Sequence, residues 1–220
     1  METRAKFNMI KKGEDMIRLY DYWRSSACYR VRIALGLAGL EWTSVEVNLL
    51  KKAQLSAEHI ARNPQGLVPV LEIDTHRLTQ SLAIIEYLDG TRGLGLMPDD
   101  PTEAARVRAL AHAIAMEIHP VCNLGVATFA FEKAGDGITL PSWMGHFIGN
   151  GLGAFEAMLE GGEYCLGEGV TMADVCLLPQ LYNAHRWKVD LAAMPKIRRI
   201  EAKLTEIPAF AAAHPDLAPH

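Results

Sequence analysis

The spacing of apolar positions switches repeatedly between strand and helix periods along the first ninety residues. Ile17–Tyr22 is a short, aromatic-rich run and predicts a strand. In Tyr29–Leu40, Val31, Leu35 and Ala38 fall at helical spacing, while Ile33, Ala34 and Leu37 widen the apolar face. Ser25 and Ser26 stand just ahead and offer N-cap oxygens, and Gly39 is a natural stop. Thr43–Asn48 alternates and predicts a second strand. Ala53–Arg62 predicts a short helix and Asn63-Pro64-Gln65-Gly66 a turn. Val68–Ile73 reads as a strand opening with a proline, and a tight turn at Asp74-Thr75 leads to a partner strand, His76–Thr79. Ser81 then caps a helix over Leu82–Leu88. The predicted order is β-α-β-α-β-β-α.

From Thr102 onward the period is helical throughout. Thr102-Glu103 opens a long helix through Val121, with a kink expected at Pro120. Leu140–Leu159 is a second long helix and Thr171-Met172-Ala173-Asp174 starts a third, as a capping box with Asp in the usual Glu/Gln place. Pro195–Thr205 and Pro208–Ala213 are shorter. The Gly-, Pro- and Asp-rich stretch Gly93–Pro101 separates the halves, giving an α/β domain over 16–97 and an all-helical domain over 102–220. Residues 1–15 read as a loose arm without the apolar segment of an export signal.

Composition narrows the partners. Of the 220 residues, 50% are hydrophobic and 22% charged, and the net charge is −4 with both signs interspersed. No polybasic stretch suggests nucleic acid, and no apolar run is long enough to cross a membrane. Cys28, Cys122, Cys165 and Cys176 are too far apart for a CxxC motif and read as reduced cytoplasmic thiols. The His, Asp and Glu residues show no metal-ligand spacing, so no metal is expected. An anionic ligand has to be held locally. Ser25 and Ser26 lie where the free N–H groups and dipole of a helix start favour an anion, although the residues alone leave a plain helix cap open. Arg186 and Arg24 are candidate bidentate donors to carboxylates, with a surface salt bridge as the plainer reading of each. Arg30 and Arg32 read as structural ion-pair partners.

Four segments carry a resemblance: Arg24-Ser25-Ser26-Ala27-Cys28-Tyr29-Arg30-Val31-Arg32-Ile33-Ala34-Leu35, Asn63-Pro64 with Val68-Pro69, Gln80-Ser81-Leu82-Ala83-Ile84-Ile85-Glu86-Tyr87-Leu88, and Asn183–Leu191. Together with the element order they resemble the zeta class of glutathione transferases, a thioredoxin-like domain followed by a helical one. The resemblance implies a cytoplasmic homodimer that binds glutathione and a dianionic keto acid. It implies cis–trans isomerisation of a maleyl keto acid by transient thiolate addition, in aromatic amino-acid breakdown. Maleylacetoacetate and maleylpyruvate are alternative substrates. Transfer to, or dehalogenation of, α-halo acids is a further alternative, and a non-catalytic glutathione-binding module is one of another class.

By the same resemblance Ser25 is catalytic with Ser26 beside it. Glutathione then lies against Ser25, Ser26, Ala27, Gln54, Val68 (by its backbone, before a cis Pro69), Gln80, Ser81 and Asn123. His119 is a further contact or a packing residue. Arg186 and Arg24 take the substrate carboxylates. The chain departs from the class in Cys28, one place later than the usual cysteine. A shift of one residue is about a 100° rotation on a helix, so Cys28 cannot replace that thiol. His119 and Gly125 also depart from the class pattern.

Overall fold

The computed structural model describes residues 16–134 and 137–218; the arm read at 1–15 lies outside the described residues. The first strand, β1 (Arg18–Asp21), runs into a short loop and then helix α1 (Ser26–Leu37). Ser25 makes that junction. It keeps an extended backbone, and its Oγ accepts the Cys28 N–H at 3.3 Å. The helix therefore begins three residues before the apolar periodicity does, and Ser26, Ala27 and Cys28 form its first turn. Gly39, at φ +63°, follows the C-cap and supplies the left-handed turn that ends it.

Strand β2 (Thr43–Glu46) pairs parallel with β1. Two 3₁₀ turns, Leu49–Lys51 and Ala53–Leu55, then lead to helix α2 (Ala57–Arg62). The single helix predicted over Ala53–Arg62 is thus divided, because Ser56 breaks it and caps α2 by accepting the His59 N–H. Strands β3 (Val70–Ile73) and β4 (His76–Thr79) form an antiparallel hairpin, giving the sheet order β2-β1-β3-β4. Helix α3 (Ser81–Arg92) follows. Its N-cap is Gln80, so Ser81 is the first helical residue and not the cap that the sequence suggested. Along β1, Leu19 enters the main core while Tyr20 faces the opposite side with Val47 and Val70, the period-two alternation of a strand.

The second half is helical. Helix α4 (Pro101–His112) is capped by Asp100, whose Oδ1 accepts the N–H groups of Thr102 and Glu103. A π-helical turn, Ala113–Ile118, continues it. The chain then turns through His119–Asn123, so Pro120 ends the helix where a kink inside a longer one was expected. Without an N–H the proline cannot extend the ladder. Helix α5 (Leu124–Ala134), which the sequence pattern did not mark as a helix of its own, starts anew, with the Asn123 Oδ1 accepting the Gly125 N–H. The remaining helices are α6 (Leu140–Met158), α7 (Met172–Arg186), α8 (Pro195–Glu206) and α9 (Pro208–Ala212). At the start of α7 the buried Asp174 carboxylate accepts from the Thr171 N–H and hydroxyl and from the Cys165 N–H, as a capping acid should.

One apolar core runs through both halves, from Leu19, Val31, Leu35 and Leu71 to Ile114, Leu152, Phe155 and Ile200. Helix α1 packs against α3 and α7 and shares the core with Leu19 and Leu71 of the sheet, and Gly36 brings it against α9, where an added Cβ would lie 3.3 Å from Ala209. No helix among the described residues is long and apolar enough to cross a membrane.

Candidate active site

Two helix N-termini bound the candidate site. The first is that of α1. Ser25 caps it with one lone pair and remains half-buried. Ser26 is buried, and its hydroxyl lies 3.5 Å from the Pro179 carbonyl of α7, at the junction of the two halves. Ala27 is buried in the same turn. Cys28 is fully buried. Burial first, then Asp21, pushes its thiol well above the ordinary value, so its proton is held tightly.

The second N-terminus is that of α3. Gln80 is held at φ +68°, a backbone region that a non-glycine residue occupies only under constraint. Its side chain donates to Gln65 Oε1 at 2.8 Å. Ser81 is buried and accepts a hydrogen bond from Arg30 at 3.3 Å. Val68, just ahead of β3, is joined to Pro69 by a cis peptide bond as expected. Among the described residues no group takes up the Val68 N–H or carbonyl, which leaves a strand-like edge open. Gln54 borders the same turn, its carbonyl 3.4 Å from where a Cβ on Gly66 would lie. Its side-chain Oε1 is buried and has no hydrogen-bond partner among the described residues.

The helical half brings up the other candidates. His119 follows the π turn, its N–H bonded to the Ile114 carbonyl at 2.9 Å. Burial of its ring, and then the Arg30 charge, pull it down to about 3, so it is neutral at ordinary pH. The oxygen of Asn123 caps α5, which leaves only its amide N–H groups to offer a ligand. Arg24 stacks over Trp23, its guanidinium carbon 4.6 Å from the ring centroid, and donates to the Tyr22 hydroxyl at 3.2 Å. Arg186 stacks on Trp187 at 4.9 Å. Burial, then the Arg24 charge, pull Arg186 below its usual value, so the two guanidinium groups feel one another. Neither forms an ion pair among the described residues.

Each guanidinium has the fork of donors that a carboxylate takes up in two parallel bonds. Tyr182 is coupled to both arginines, and sequence spacing gave no sign of it or of Tyr22. The expectation for Arg32 holds: it pairs with Asp21 at 2.8 Å, both buried. For Arg30 it fails, because no carboxylate reaches it among the described residues.

Residues 16–90 match the family described as glutathione S-transferase, N-terminal domain. A maleylacetoacetate isomerase of Rhizobium meliloti (strain 1021) is 60% identical over 205 residues, 91% of this chain and 96% of the relative. A structure of a holo maleyl pyruvate isomerase, a bacterial zeta-class glutathione S-transferase, superposes with a TM-score of 0.87 at 38% identity, covering 92% of this chain and 98% of that one. A maleylacetoacetate isomerase from Anaeromyxobacter dehalogenans 2CP-1, with dicarboxyethyl glutathione and citrate in its active site, gives a TM-score of 0.82 at 39% identity, covering 93% of each. The chain belongs to the zeta class of the glutathione S-transferase family, the family of the maleylacetoacetate isomerases.

Proposed function

We propose that the protein is a glutathione-dependent cis–trans isomerase that converts maleylacetoacetate to fumarylacetoacetate. The observation that carries the reading is the pair of unpaired arginines, Arg24 and Arg186, with Arg24 directly preceding Ser25 at the α1 N-terminus. The chain's residues fit glutathione: an open Val68 edge, an orphaned Gln54 acceptor, and Ser81 at a helix start, where a carboxylate is favoured. Bound glutathione supplies a thiolate that adds to and then leaves the double bond conjugated with the ketone, so the cofactor is not consumed.

The protein's part is electrostatic and positional. The Ser25 hydroxyl and the first-turn N–H groups of α1 hold the sulfur as thiolate, by the physics that depresses a cysteine pKa at a helix start. Gln80 and Ser81 orient the γ-glutamyl end, and Gln54 the glycyl end. His119 and Asn123 close the site from the helical half. Arg24 and Arg186 hold the two substrate carboxylates while the bond between them turns, and their charge favours the negative charge that develops on the ketone oxygen. Cys28 takes no part.

A spectrophotometric assay with maleylacetoacetate, with and without glutathione, tests this. Turnover should require glutathione, and turnover without it overturns the mechanism. Glutathione binding with no turnover of any maleyl keto acid would mark a binding module instead. Maleylpyruvate belongs in the same assay as a second substrate, favoured by the likeness to the maleyl pyruvate isomerase. We also read the chain as domains 16–97 and 102–220 and as a cytoplasmic homodimer of tyrosine breakdown; its free, buried cysteines and its family support that reading.

A further inference from the structure

Arg30 is 2% exposed on α1, one turn beyond Ser26. One terminal nitrogen donates to Ser81 Oγ at 3.3 Å. Its Nε and other terminal nitrogen have no partner among the described residues, and no carboxylate there pairs with it. A guanidinium stays protonated in proteins, so this is a buried positive charge without a counter-ion. Such a charge is costly, and an apolar side chain of similar size would pack there without that cost. Arg32, two residues on, shows the ordinary arrangement, with its guanidinium on the buried Asp21 carboxylate. An uncompensated charge kept beside two helix N-termini calls for an anion that the protein itself lacks.

Ser81 shows where that anion sits. Its oxygen accepts from Arg30, so its own proton is free to be donated. Among the described residues nothing accepts that proton. Ser81 is also the first residue of α3, whose free N–H groups point the same way. The hydroxyl is therefore set as a donor to a ligand and not as an acceptor. The distorted backbone of Gln80 holds this helix start in place. His119, kept neutral in part by Arg30, adds no second cation.

We propose that Arg30 is a positioning residue for the cofactor: its buried charge and its bond to Ser81 orient the serine proton toward the γ-glutamyl carboxylate of glutathione, and that carboxylate is the counter-ion Arg30 lacks. Arg30 acts through Ser81 and does not touch the ligand. The inference rests on the glutathione reading above.

The test is a cycle between protein and ligand, read by calorimetry. Glutathione is compared with γ-aminobutyryl-cysteinyl-glycine, which lacks only the γ-glutamyl carboxylate, on wild type, Arg30→Met, Arg30→Gln and Arg30→Lys. On wild type the analogue should bind about 30-fold more weakly, the worth of hydrogen bonds to a charged group. On Arg30→Met that ratio should fall to below about threefold, because the carboxylate has lost its counter-ion. Arg30→Gln, a neutral polar variant that is read if the methionine protein does not fold, should also lose at least about two-thirds of the ratio. Arg30→Lys, which restores the charge, should recover most of it. The ligand-free methionine variant should melt no lower than wild type. A wild-type ratio preserved in either neutral variant overturns the proposal. Folded wild type that binds no glutathione overturns the cofactor reading instead.

Discussion

Ser25 and Cys28 are three residues apart on one turn, and the structure gives them opposite characters. Ser25 stays half-exposed at the helix start, while the Cys28 thiol is buried and its proton held more tightly. Ser25→Ala should lower kcat/KM at least about tenfold, the worth of one hydrogen bond to a charged group. Cys28→Ala should keep most of the activity. A steady-state assay reads both, and an inactive Cys28→Ala protein that is still folded would reverse the assignment. His119 adds a pH dependence. Its folded value of about 3 lies below the 6.5 of the free side chain. The neutral ring therefore stabilises the fold fully above pH 6.5, and that contribution is lost as pH falls toward 3. Urea midpoints across this range should drop more steeply for wild type than for His119→Gln; parallel curves would count against a buried neutral ring.

At the scale of elements, the π turn Ala113–Ile118 sets where the site's second wall begins. The wider turn carries Ile118 onto α6 at Gly151, where an added Cβ would meet its Cγ1 at 2.4 Å. Ile118 is buried and has little room to yield. Gly151→Ala should cost about 1–3 kcal/mol, as overpacking does, and should shift the His119 turn that follows. Chemical denaturation measures the first effect and the glutathione KM the second. The helices that the sequence placed well are those with local signals at their ends, such as Asp174 below Thr171 and the prolines that open α8 and α9. Helix α5 was missed because its starting signal, Asn123, lies just beyond Pro120 inside a continuous apolar pattern.

Across the whole molecule, α1 links the sheet to the helical half. Arg32 binds Asp21 of β1, the Trp23 carbonyl and the Ala213 carbonyl beyond α9. Arg32→Met leaves the buried Asp21 carboxylate without its cation, with the Ser44 hydroxyl still donating to it, which should cost about 3–5 kcal/mol in urea unfolding. A loss under about 1 kcal/mol would mean that the pair is solvated.

The chain by itself determined the α/β-then-helical order and most of the helix caps, Ser81 excepted. Each of these depends on residues within a few positions of one another. It could also show that Cys28 stands off the usual position, because one step along a helix fixes a direction. Which arginine would be paired and which left alone was decided only by the tertiary structure. Arg30 and Arg32 are equivalent in local sequence. Asp21 comes within reach of one, while Ser81, 51 positions away, comes within reach of the other. The influence of the Arg24 charge on Arg186 likewise needed the helical half folded against the first domain. Charge compensation is a property of neighbours in space, and those neighbours are distant along the chain.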